Sequence, residues 1–100
     1  MNHQQTIQHF RDTFAKAAEN RKAHETLVPH PLGRKYGHTV PQWHLNEMQI
    51  MLNEINHLRR EARKEPIKPQ QLFDAEVTAC GHVDYAIKLS IYATELAEKP

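Results

Sequence analysis

Apolar residues recur along this chain at helical rather than strand spacing. Ile7, Phe10, Phe14 and Ala17 stand at i, i+3, i+7 and i+10, one face of a helix. Asn2 with Gln5 three positions later has the spacing of a capping box. The stripe fades after Ala18, and the helix must close before Pro29, because the residue ahead of a proline avoids helical backbone. A first helix is therefore expected over about residues 3–26. A second stripe of His44, Met48, Met51, Ile55, Leu58 and Ala62 alternates steps of four and three, and Leu45 and Leu52 widen it. Thr39 and Gln42 can cap its start around Pro41, and Pro66 stops it, which predicts a helix over about residues 41–64. Glu47, Glu54 and Glu61 line one flank of that helix.

The stretch after the "PIKP" joint reads differently. A third helix is expected over about residues 69–97, with Gly81 its weak point. Leu72, Ala75, Ala79, Val83, Ala86, Ala93 and Ala97 form a strip of mostly small residues. Phe73, Val77, Cys80, Ile87 and Ile91 lie to one side, and Tyr85, Leu89, Tyr92 and Leu96 to the other. A helix apolar nearly all round must be covered on several sides. Two shorter helices cannot enclose it easily, so a second copy is expected to pack on Tyr85, Leu89, Tyr92 and Leu96. The reading is all-α: one domain spanning residues 1–100, a three-helix antiparallel bundle completed by dimerisation, with a long ordered loop over 28–40 between helices one and two.

That loop, "VPHPLGRKYGHTV", collects prolines, glycines and histidines that are sparse elsewhere. Connections of this length are usually functional or disordered, and the prolines argue for order. Leu32, Tyr36 and Trp43 could simply pin a connector to the bundle. Arg34 and Lys35 beside Tyr36 and Trp43 also mix cations with aromatics, as protein interfaces and nucleic-acid sites both do. A second basic group, Arg59, Arg60, Arg63 and Lys64, closes helix two, where cations suit the helix dipole. Helical rise puts roughly 35 Å between the two groups, so one copy does not merge them into a single patch.

Composition narrows the function classes. The chain has 100 residues and net charge +1, which selects neither nucleic acid nor membrane. Cations outnumber anions between residues 21 and 68, and anions outnumber cations thereafter. The single cysteine, Cys80, excludes an intramolecular disulfide and favours a reducing compartment. With no run of 18 apolar residues and no signal-peptide core, the expectation is a cytoplasmic protein.

Candidate chemistry is thin. Eight histidines invite a metal, but none forms a zinc-type spacing or an i, i+4 pair on a helix, so no metal or cofactor is expected. Cys80, beside Val77 and Ile87, reads as a small buried hydrophobe. Glu76, near the small-residue strip, reads as a partly buried carboxylate bonded to a neighbouring helix, with a general base as the sharper alternative. No catalytic residue is assigned. What remains is a non-enzymatic binding protein, an inhibitor or adaptor whose contact surface includes Arg34, Lys35, Tyr36, Trp43, Arg59, Arg60, Arg63 and Lys64. Short helical chains of this style recur among phage and plasmid accessory proteins that act on host nucleic-acid-processing machinery, an analogy of type alone. The alternative is a small nucleic-acid-binding regulator using Arg34, Lys35 and the basic end of helix two.

Overall fold

The computed structural model describes residues Met1–Pro100 and is mostly helical, with four α-helices and one two-stranded sheet. Helix α1 spans His3–Ala17. Its start is the expected capping box: the Gln5 amide donates to Asn2 Oδ1 (2.8 Å) and the Asn2 amide to Gln5 Oε1 (2.9 Å). Phe10, Phe14 and Ala17 face the core. Beyond Ala17 the apolar stripe is exhausted, and residues Ala18–His24 wind as a 3-10 helix with no buried residue. The first α-helix is therefore shorter than the expected 3–26.

The expected loop contains a small sheet. Strand β1 (Leu27–Pro29) pairs antiparallel with β2 (Thr39–Pro41), Val28 opposite Val40. Prolines at the strand ends sacrifice no ladder bond that a two-stranded ribbon needs. Between the strands a 3-10 turn, Arg34–Tyr36, is bracketed by Gly33 (φ 108°) and Gly37 (φ 127°), backbone that other residues adopt only with strain. Because Thr39 is committed to β2, it does not cap the next helix, whose N-cap Pro41 makes no side-chain bond.

Helix α2 (Gln42–Glu61) buries Met48, Met51, Leu52 and Ile55 as its stripe requires. It ends three residues before the expected 64, in a Schellman turn. The Lys64 amide donates to the Arg59 carbonyl (2.8 Å) and the Arg63 amide to the Arg60 carbonyl (3.0 Å). The residue at the left-handed position is Arg63, φ 58°, where glycine is the usual occupant. Arg63→Gly is therefore expected to raise stability by about 0.5–1 kcal/mol, the left-handed penalty less the extra entropy of glycine. A lower denaturant midpoint for that variant would mean that the Arg63 side chain earns its place through contacts. The joint that follows is pinned by Asn56, whose side chain accepts from the Ile67 amide (2.8 Å) and donates to the Ile67 carbonyl (3.3 Å).

The third helix expected over 69–97 is two helices, α3 (Pro69–Ala79) and α4 (Tyr85–Glu98), joined by a turn through Gly81. An unbroken helix of that length would run about 44 Å, beyond the 36 Å longest dimension of the molecule. The break turns α4 back against α1, α2 and α3. Much of the enclosure assigned from the sequence to a second copy is thus supplied within the chain, although Val77, Val83 and Ile87 stay exposed. Leu89, placed on an expected dimer face, is fully buried in the core with Ala93 and Ala97. The buried hydroxyls of Ser90 and Thr94 donate to the carbonyls one turn back, Ala86 and Ser90 (2.8 Å each), so α4 buries them without orphaned polar groups.

Candidate functional site

Two places concentrate functional groups: the turn between the strands, and a cleft beneath it. The turn is anchored from inside. His30 and Tyr36 are buried, their rings stacked 5.3 Å apart at 26°, and Phe73 of α3 meets His30 edge-on at 4.5 Å. The Tyr36 hydroxyl donates to Asp74 Oδ1 (2.7 Å). Arg34 and Lys35 are left exposed at the tip, and the Lys35 ammonium stands 3.9 Å from Asp74. Tyr36 is thus an anchor, and its burial corrects its expected place on a contact surface.

The cleft has a volume of about 510 Å³ and lies between the 3-10 segment, β2, α2, α3 and the start of α4. Glu47 and Glu76 are buried in its wall. Arg21 grips Glu47 with two bonds (2.7 and 2.9 Å), and its guanidinium lies 4.3 Å over the Trp43 ring. On the other side Glu76 Oε1 accepts from His44 Nε2 (3.1 Å) and Oε2 from the Cys80 thiol. Since an ionised carboxylate only accepts, His44 Nε2 must carry a hydrogen. Half-buried Trp43, placed on the contact surface by the sequence, lies under the Arg21 guanidinium at the rim of this cleft. Cys80 is an exposed residue at the end of α3 with its sulfur turned inward, not the buried hydrophobe expected. Helix α3 stops there, so its last turn has no continuing helix to cover it.

Electrostatics in the cleft follow from burial and from these bonds. Burial raises the Glu76 carboxyl, but bonds from His44 and Cys80, with the charge of His44, outweigh it and hold the group below its ordinary range. Burial first, then bonding to Glu76, pushes the Cys80 thiol up to about 11. Tyr85 is raised by burial and by the charge of Glu76. The carboxylate is thus a weakened base and the thiol stays protonated at neutral pH, the reverse of what a general base or thiolate nucleophile needs. No group of three or more His, Cys, Asp or Glu side chains is disposed to hold a metal.

The basic end of α2 is dismantled. Arg59 is buried, and its guanidinium donates to the carbonyls of Leu96 and Lys99 (2.8 Å each) at the end of α4, and to that of Glu65. It is a clasp between helices, not a partner contact. Lys64 Nζ donates to the Glu98 carbonyl (2.8 Å), while Arg60 and Arg63 remain exposed. With α2 about 30 Å long, these stand at the far end from Arg34 and Lys35. Tyr92 and Leu96, half-buried, line a groove between α3 and α4 with Ala75 and Thr78; Tyr85 lines the polar cleft instead. No helix is long and apolar enough to cross a membrane.

Histidine–glutamate pairs join the helices; the sequence anticipates a bond from Glu76 to a neighbouring helix but names no histidine partner. His3 meets Glu98 (3.0 Å), His9 meets Glu54 (2.8 Å) and His44 meets Glu76 (3.1 Å), tying α1 to α4, α1 to α2 and α2 to α3. The partners stand far apart along the chain, so no local spacing announces them. The fold and site define a small helical bundle carrying a proline-framed hairpin. No protein-family model, curated protein or solved structure matches the chain.

Proposed function

We propose that this chain is a non-enzymatic helical binding protein, acting by contact with another protein as an inhibitor or adaptor. One observation carries the reading. The hairpin loop spends His30 and Tyr36 on holding itself to α3 and presents Arg34 and Lys35, both exposed, on a turn framed by two glycines. A pre-ordered cationic tip loses little entropy on docking, and it fits an acidic protein surface. The mutual pairing of the cleft groups supports the same reading, because Glu47 and Glu76 have both oxygens engaged within the protein. A phage- or plasmid-type accessory role against a host nucleic-acid-processing complex is the setting proposed from the style of the chain.

A homodimer belongs to this proposal, seated on the α3–α4 groove of Tyr92 and Leu96. Glu95 and Lys99 flank that groove, and in an antiparallel two-fold pairing each would meet its opposite charge. The test is a double variant, Arg34→Ala with Lys35→Ala. Both side chains are exposed, so melting is expected to stay within about 0.5 kcal/mol of wild type. Affinity for the protein captured by the wild type, once identified and purified, is expected to fall tenfold or more, about 1.4 kcal/mol. Unchanged affinity removes the loop from the interface. Binding only to duplex or single strands, with a steep fall as salt rises, replaces the reading with the nucleic-acid one. Sedimentation of the same samples reports whether the groove pairs two copies.

A further inference from the structure

We propose that His30 is a proton-operated catch for the hairpin loop: uptake of one proton by its imidazole unseats residues 30–37 from α3 and frees the Arg34–Lys35 tip. The observation behind it is an anomaly. His30 Nε2 is the one buried side-chain nitrogen or oxygen in the protein without a hydrogen-bond partner, and such atoms in a native structure call for an explanation.

The bonding of the other ring nitrogen sets the chemistry. Nδ1 accepts from the Leu32 amide (3.1 Å), so it carries no hydrogen, and the neutral ring must hold its hydrogen on Nε2. That Nε2–H is buried without an acceptor, in a ring that stacks on Tyr36 and meets Phe73 edge-on. A second proton can enter only at Nδ1, where it faces the Leu32 N–H. That bond is then lost, and an imidazolium with two unaccepted N–H groups is left in an aromatic recess. Ring faces return only part of the hydration a cation loses there.

The charged and titratable groups around His30 come from three elements. On the loop itself Tyr36 is bonded to Asp74, and Arg34 and Lys35 are exposed. From α2, a charged His44 opposes a proton on His30. From α3, Glu76 favours it, and Asp74 is already engaged by Tyr36 and approached by Lys35. Burial is the largest influence and prevails over Glu76, which holds the seated imidazole below its ordinary value.

The direction of the switch follows. In the released loop His30 regains the ordinary value of about 6.5, and the seated form titrates lower. Above that value both forms are neutral and seating is at full strength. As pH falls below about 6.5 the released form takes up the proton first, and seating weakens by up to tenfold per pH unit until the seated ring titrates too. Gly33 and Gly37, both at positive φ, supply hinges for the departing tip. The consequence for partner binding rests on the reading proposed above; the catch does not.

Amide hydrogen exchange between pH 7.5 and 5, corrected for intrinsic rates, tests it. Protection at Leu32, Tyr36 and Gly37, whose amides are bonded within the loop, is expected to fall several-fold below pH 6.5 while the Met51 and Ile55 amides of α2 hold theirs. In His30→Phe, which keeps an aromatic ring in the recess, loop protection is expected to be flat with pH. Flat protection in the wild type, or a parallel fall in the variant, overturns the catch. Nitrogen-15 spectra of the wild-type ring give a second reading should the variant not fold. The hydrogen is expected on Nε2 at pH 7.5, with a midpoint below that of free imidazole in a model peptide; a midpoint at or above it overturns the catch. Absence of partner binding at pH 7.5 counts against the binding reading alone.

Discussion

Replacing Arg59 by alanine is expected to lower stability by about 3 kcal/mol, or roughly 15 °C in melting temperature for a chain of this size. Arg59 is only 5% exposed, and its guanidinium donates to the carbonyls of Leu96, in the last turn of α4, and of Lys99, its C-cap. Those carbonyls have no intrahelical partner, and a charged donor on each contributes more than a neutral one. Truncation also leaves a void where the three-carbon stem lay, so lost packing adds to lost bonding. Arg59→Lys keeps the charge but not the planar fork, and it is expected to recover less than half of the loss. The measurement is denaturant unfolding of the three proteins with native-state exchange at the end of α4. A loss below about 0.5 kcal/mol for Arg59→Ala would return the residue to the surface role read from the sequence.

Arg21→Ala is expected to cost about 2–3 kcal/mol, and Glu47→Gln about 1 kcal/mol, although the two residues form one pair. The asymmetry is one of solvent. The Arg21 side chain is 41% exposed and, once released, can turn into water, whereas the Glu47 side chain is 2% exposed and stays behind. Removing the cation leaves a desolvated carboxylate; removing the acid leaves a cation free to hydrate. The lower end of the range is chosen because the cleft is open and water can reach part of the vacated space. Loss of the Arg21 stack on Trp43 adds a smaller contribution. Equal losses for the two variants in urea titrations at neutral pH would refute the argument.

Both residues show how the sequence reading fails. Arg59 sits in a run of cations at a helix end, a pattern that reads as surface because hydrophobic periodicity contains no information about which carbonyls wait across the fold. Glu47 was placed on a flank with Glu54 and Glu61, yet the three end in three settings: buried under Arg21, half-buried on His9, and exposed beside His57. A stripe tells which side of a helix is apolar. It does not tell which neighbour reaches over its edge.

Local interactions were legible where they decide structure alone. The Asn2–Gln5 capping box, the apolar faces of α1 and α2 and the ordered loop with Arg34 and Lys35 at its tip all follow from spacing and backbone restriction within a few residues. Contacts distant in sequence fell outside that reach. The turn at residues 80–84, the enclosure of α4, the clasp of Arg59 and the pairs Arg21–Glu47 and His44–Glu76 each join groups brought together only when the helices cross. Short-range order is encoded by neighbours along the chain. A buried charge, in contrast, is stable only beside a partner that the folded arrangement delivers.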